Sequence, residues 1–330
     1  MASVVPLLLA AVLSAPAFVP LFAFTDPRID ESSGLVDLGD LVVTVNDSGD
    51  DAVVYVVDPE TGDTVGTTRF ADAVVDVEAL APAGDGEVWV GDIGDNAGQR
   101  ADVTVYRVPV GRGDRVVDAP AYTLVYPDRP QDAETLLADP TTGRLHIVTK
   151  SLFGGTVYAL PPRLREGRTH RLRAVTRVGG FLTDGTVTPD GRHVILRDYG
   201  RAMAYAYPSW ERLGPIPLPA QQQGEAIAMG PDGRVLVSTE GAFSTVHEVP
   251  LPAGLLPEPE PEPEPAPDPE PTSPRPPDPA PDADPERSPV LVGGGLVVLT
   301  LTLLVVTARC SRPRRRAQKE HGAAADGLGD

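Results

Sequence analysis

The chain has 330 residues, with 37 Pro, 33 Gly, one Cys and 47 acidic against 28 basic residues, a formal net charge of −19. That acidity argues against nucleic acid as a partner, because phosphate binding needs a basic surface, and the single Cys excludes a disulfide framework or a Cys-rich zinc site. Hydrophobic residues at 41% still allow a packed core, so the prolines must be unevenly placed, since strands and helices tolerate few of them.

At the N-terminus, Val4 to Val12 is an apolar stretch too short to span a bilayer, followed by the small-x-small pattern Ala15-Pro16-Ala17. A secretory signal peptide is expected over residues 1–17. No basic residue precedes Arg28, which leaves an uncleaved anchor or a different start as alternatives.

Residues 18–256 show no helical period. What recurs is an acidic-then-apolar phrase: Asp30 to Leu35, Asp76 to Leu80, Asp132 to Leu136, Thr183 to Val187 and Gly224 to Ala228. Aligned on the acids Glu31, Glu78, Glu134, Asp184 and Glu225, the repeats are 47, 56, 50 and 41 residues apart, the spacing of propeller blades. The second repeat predicts strands at Glu78 to Ala81, Val88 to Gly91, Val103 to Val108 and Tyr122 to Tyr126, and turns such as Asp85-Gly86 separate β-branched runs throughout. Four antiparallel strands make one blade. The last repeat ends after its third strand, and Pro20 to Ile29 supplies the missing fourth. The expected fold is all-β, a five-bladed propeller closed by its N-terminal strand, with six blades as the alternative if the long second repeat hides extra strands.

In a blade the first strand lines the channel and the second runs antiparallel beside it, so first-strand starts and second-strand ends share a face. An acidic ring of Glu31, Glu78, Glu134, Asp184 and Glu225 is expected there, beside the polar residues Asn46, Lys150, Arg197, Asp198 and Glu240. Converging carboxylates repel and raise one another's pKa unless cations intervene. Lys150 and Arg197 offer fixed charge, and Ca²⁺ is the hard ion expected outside a cell, with ligands drawn from Glu31, Asp47, Glu78, Asp92, Asp95 and Asn96. The alternative is that these acids cap turns and accept loop amides. No catalytic residue is assigned: His146, His193 and His247 fall within strands as packing or edge residues, and no Gly-x-Ser-x-Gly elbow occurs.

Several phrases stand in order: Glu31 to Leu35, Asn46 to Asp50, Gly91 to Arg100, Thr149-Lys150, Leu196 to Tyr199 and Gln223 to Ile227. In these the chain resembles a family of secreted bacterial β-propeller proteins, loosely similar to esterase-like phytases and WD40-like propellers. The resemblance covers roughly residues 26 to 245 and implies the propeller fold and a shared acidic face, without conferring an activity. Family members often have Trp where this chain has Val77.

Beyond the repeats, residues 257–289 hold 15 Pro and 10 acidic residues, a polyproline-like stalk whose carboxylates keep it hydrated. At about 3.1 Å per residue its contour approaches roughly 100 Å. Residues 290–308 carry no charge and are long enough for a transmembrane helix, and the basic tail at 309–330 places the C-terminus in the cytoplasm by the positive-inside rule. The chain is therefore expected in a bacterial cell membrane, single-pass and monomeric, with the propeller outside. There it would act as a binding module for a glycan, peptide or protein. The alternative is a Ca²⁺-dependent hydrolase of lactone, ester or phosphate-ester type, working through metal-activated water.

Overall fold

A computed structural model of the chain describes residues 18–255 apart from positions 48 and 50. The segments expected as signal peptide (1–17), stalk (257–289), membrane helix (290–308) and basic tail (309–330) lie outside the described residues. Among those described, no helix is long and apolar enough to cross a membrane.

Short β-branched runs between turn residues become strands, in chain order. β1 (Val19–Ala23) leads, and the first blade follows as β2 (Ser32–Asp37), β3 (Val42–Asn46), β4 (Val53–Val57) and β5 (Thr64–Arg69). The second blade is β6 (Val77–Gly84), β7 (Glu87–Asp92), β8 (Val103–Pro109) and β10 (Ala121–Val125), with β9 (Arg115–Val116) between the last two in sequence. The third is β11 (Ala133–Ala138), β12 (Leu145–Thr149), β13 (Gly155–Ala159) and β15 (Arg173–Val178), with β14 (Thr169–Arg171) preceding its outer strand. The fourth is β16 (Leu182–Val187), β17 (His193–Asp198), β18 (Ala202–Ala206) and β19 (Glu211–Ile216), and the fifth begins with β20 (Gly224–Met229), β21 (Val235–Thr239) and β22 (Thr245–Val249). The turn between β6 and β7 shows the local logic: Asp85 and Gly86 both take positive φ, 51° and 75°, as a two-residue hairpin turn matched to strand twist requires.

Among the described residues the sheets number five, which gives the propeller five blades. The extra length of the second repeat makes no sixth blade. It forms β9, which leaves its own blade and pairs in parallel with β5 of the first, Thr68 opposite Arg115. In the same way β14 pairs in parallel with β10 of the second blade. The fifth sheet runs β1-β22-β21-β20, so the N-terminal strand completes the last blade as expected, Val19 opposite Glu248 and Ala23 opposite Thr245.

The core is divided into five clusters, one at each interface between neighbouring blades. Successive side chains of a strand point to opposite faces. Val43 therefore packs between the first and second blades while Val42 packs between the first and fifth, and Leu136 and Leu137 divide likewise between the second and fourth neighbours of the third blade. Inner strands are consequently buried on both faces, whereas the outer β15 and β19 are largely exposed. Each fully buried Val, Leu or Ile contributes about 1.5–3 kcal/mol, so closure, which adds a fifth interface, contributes strongly to stability.

Candidate functional site

Every first strand carries a register shift against its second strand near its start: at Ser32/Gly34, Val77/Ala79, Ala133/Thr135, Leu182/Asp184 and Gly224/Ile227. A bulge bends the strand and re-aims the extra side chain. The residues at this position are Ser33, Glu78, Glu134, Thr183 and Glu225. A shared backbone hydrogen bond fixes the alignment independently. The amides of Asp47, Gly94, Lys150 and Glu240 donate to the carbonyls of Glu31, Asp76, Asp132 and Gln223, each two residues before the bulge.

The ring at the bulges thus holds three carboxylates and two hydroxyls, not five carboxylates. Glu31 is equivalent to Asp76 and Asp132, and its side chain is exposed. Asp184 lies one residue past its bulge, fully buried, and accepts a 2.8 Å hydrogen bond from the Ile227 amide of the next blade. The hydroxyls act as ties between blades: Ser33 Oγ donates to the Glu78 carbonyl at 2.8 Å and Thr183 Oγ1 to the Glu225 carbonyl at 2.9 Å.

Two groups of side chains follow from this placement. In the first, carboxylate oxygens of Asp47, Asp76 and Glu78 lie within 4.8 Å of one another. Burial, reinforced by the Glu134, Asp47 and Asp76 carboxylates, pushes the Glu78 pKa up to about 11, and burial with Asp47 and Asp132 pushes Asp76 up to about 6. Asp76 is only 8% exposed, and its Oδ1 has no hydrogen-bond partner among the described residues. Gly94 is a glycine because a Cβ there would lie 2.7 Å from Glu78 Oε1 and closer still to the Asp76 carboxylate.

The second group is built on Lys150. Its ammonium pairs with Glu134, hydrogen-bonds the Tyr199 hydroxyl at 3.0 Å and lies 5.0 Å and 5.2 Å from the ring centroids of Phe181 and Tyr199. Burial pulls the Lys150 pKa down, but Glu134 and Tyr199 more than offset it and raise it overall. Burial raises Glu134 too, and Lys150 draws it part of the way back. Burial, together with Glu134, pushes Glu225 up to about 8.

The other sequence-derived candidates serve the scaffold. Asp92 accepts from the amides of Val75 and Asp76 and pairs with Arg100 at 2.8 Å; Asp95 accepts from the amides of Gln99 and Arg100. Asn96 is exposed. The segment from Gly91 to Arg100 is therefore a loop that holds itself in shape and seats Asp76, and it does not bring Asp92, Asp95 and Asn96 together with Glu31 as one ligand set. Asn46 Nδ2 donates to the Arg28 carbonyl at 2.6 Å. Asp198 accepts from the turn amides of Gly200 and Arg201, and Glu240 from Gln223 Nε2 at 2.6 Å. Arg197 is fully buried, bonded to the carbonyls of Ala226 and Ser238 and to Gln221, and burial pulls its pKa down to about 10. It locks the fourth blade to the fifth and leaves no donor fork for a ligand. Gly224 is glycine because a Cβ would collide with that guanidinium.

Asp76 stands outside the ligand set expected from the sequence, yet it joins Asp47 and Glu78. Its signal was present in the repeated acid-x-bulge spacing of Glu31-Ser32-Ser33, Asp76-Val77-Glu78 and Asp132-Ala133-Glu134.

No protein-family model matches the chain, and no curated protein does. Among solved structures, a luciferin-regenerating enzyme is 11% identical over 72% of this chain and 96% of its own, with a TM-score of 0.43. A gluconolactonase from Xanthomonas campestris is 18% identical over 65% and 70%, with a TM-score of 0.42. The PQQ-bound aldose sugar dehydrogenase from Streptomyces coelicolor is 12% identical over 71% and 99%, with a TM-score of 0.44. Likenesses this distant carry no activity to this chain.

Proposed function

We propose that the protein is a cell-surface binding module whose propeller holds a divalent cation at Asp47, Asp76 and Glu78 and presents it to an extracellular glycan, peptide or protein. The supporting observation is Asp76, buried with an unpartnered Oδ1 inside a three-carboxylate cluster. A buried polar atom without a partner is costly, and three hard oxygen ligands suit Ca²⁺. The cation would supply the positive charge that lets closely spaced, desolvated acids ionise together. The stalk and the apolar run after it motivate the tethered, outward-facing arrangement, since a spacer serves reach toward a fixed partner. Calorimetry on residues 18–256 tests the metal: Ca²⁺ binds and raises the melting temperature, and Asp76→Asn or Glu78→Gln removes both effects. Absence of binding heat together with an unchanged melting temperature in chelator would sink the proposal.

A second reading, a Ca²⁺-dependent hydrolase, is favoured by the Glu134, Lys150, Tyr199 and Glu225 group, because perturbed ionisable residues gather at reactive sites. In it Lys150 steadies an anionic transition state and Glu225 moves a proton, while Arg197, engaged by backbone carbonyls, takes no part. A panel of lactones and phosphodiesters decides: uniformly absent turnover leaves the binding module.

A further inference from the structure

We propose a second, cationic ligand site, separate from the acidic group: a groove between the third and fourth blades that takes small molecules carrying phosphate or carboxylate groups. The groove has a volume of about 460 Å³ and is lined by Arg177, Arg201, Arg212, Met203, Tyr205 and Trp210, among others. That volume falls in the range of small-molecule sites.

Charge makes the first argument. In a chain with a large excess of acid, this groove gathers three guanidiniums against one carboxylate, Asp198. Asp198 sits 3.6 Å from Arg201 and already accepts two turn amides. Arg177 and Arg212 have no carboxylate within ion-pair distance among the described residues. Arg212 Nε instead meets Met203 Sδ at 3.0 Å, a neutral acceptor that aims the guanidinium without neutralising it. Planar guanidinium forks match phosphate and carboxylate.

Rigidity makes the second. Tyr205 is buried in the core cluster that also holds Val157 and Val178 of the third blade, so this ring bridges the two blades that form the groove. The Trp210 indole is held edge-on by His146 and Tyr207, each with ring centroids 5.8 Å away. Both rings belong to the core between the blades, Tyr205 4% and Trp210 8% exposed, so they form a rigid floor beneath the arginines and little entropy is lost when an anion binds there.

The full-length chain is titrated in chelator with an oligogalacturonate, a glycerol phosphate oligomer and a neutral maltooligosaccharide. The only other tryptophan is Trp89, so Trp89→Phe leaves Trp210 as the single reporter, and calorimetry on the unsubstituted chain serves as a second readout. The expected result is saturable binding of at least one anionic probe with a change in Trp210 emission, none with the neutral sugar, and about tenfold weaker affinity in Arg177→Gln/Arg212→Gln at an unchanged melting temperature. Carboxylate and phosphate sources are told apart by which anionic probe binds. Silence with both anionic probes, equal binding of the neutral sugar, or undiminished binding in the double variant each overturns the site. Because the titration is run without divalent cation and repeated in Asp76→Asn, its failure is separable from failure of the acidic site.

Discussion

His146, in β12, packs edge-on against Tyr207 and Trp210, and burial pushes its pKa down to about 4 from an ordinary 6.5. The unfolded chain binds a proton at this residue below pH 6.5 and the folded chain does not until about pH 4. Its contribution to stability is therefore full above pH 6.5 and falls as pH drops through that window, by about 3 kcal/mol at most. His146→Phe is expected to flatten the dependence of unfolding free energy on pH between 6.5 and 4, measured by urea denaturation, and an unaltered slope would refute the assignment. The position of His146 inside an apolar run was enough to read it as a packing residue. The acids were harder, because residue type alone matches Glu31 to Glu78. The strand register, together with the hydrogen bonds from Asp47 and Gly94, shows that Glu31 corresponds to Asp76 and that Ser33 occupies the bulge.

At the scale of elements, the bulge near the start of each inner strand decides which side chain joins the acidic group and which ties to the next blade. A one-residue shift moves a side chain to the other face, so an alignment error of that size separates a candidate ligand from a scaffold group. Asp184, buried and bonded to Ile227, shows the consequence. The loop from Gly91 to Arg100 works at this scale too, its glycine making room for two carboxylates. Gly94→Ala is expected to cost roughly 1–3 kcal/mol by overpacking and to weaken Ca²⁺ binding, read by thermal melting and calorimetry on the same sample. A variant with the parent's stability and affinity would show that the close approach has no consequence. The short cross-blade strands β9 and β14 were not legible, since pieces of two and three residues carry no periodicity and exist only through a partner in another blade.

For the whole propeller, stability rests on ring closure. β1 and the residue after it add Phe22 and Phe24 to the cluster between the fifth and first blades, and Arg234 reaches from the fifth blade to the buried Asp37 of the first at 2.6 Å. Removing residues 18–24 is expected to expose the edge of β22 and both faces of that interface, with loss of a single cooperative melt and with association on size-exclusion chromatography. An elution volume and a cooperative melt unchanged from the parent would mean that closure is not needed. Length, turn spacing and β-branched runs determined by themselves the all-β class, the repeat, the third strand of the second blade from Val103, and closure by the N-terminal segment, because these depend on local pattern and on counting strands. The tertiary structure alone decided which acids meet, that Arg197 serves a blade interface, and that three arginines line one groove. Those depend on register and on contacts between residues far apart in sequence, 29 and 41 positions for the bonds of Arg197, which strand pairing sets and residue type does not.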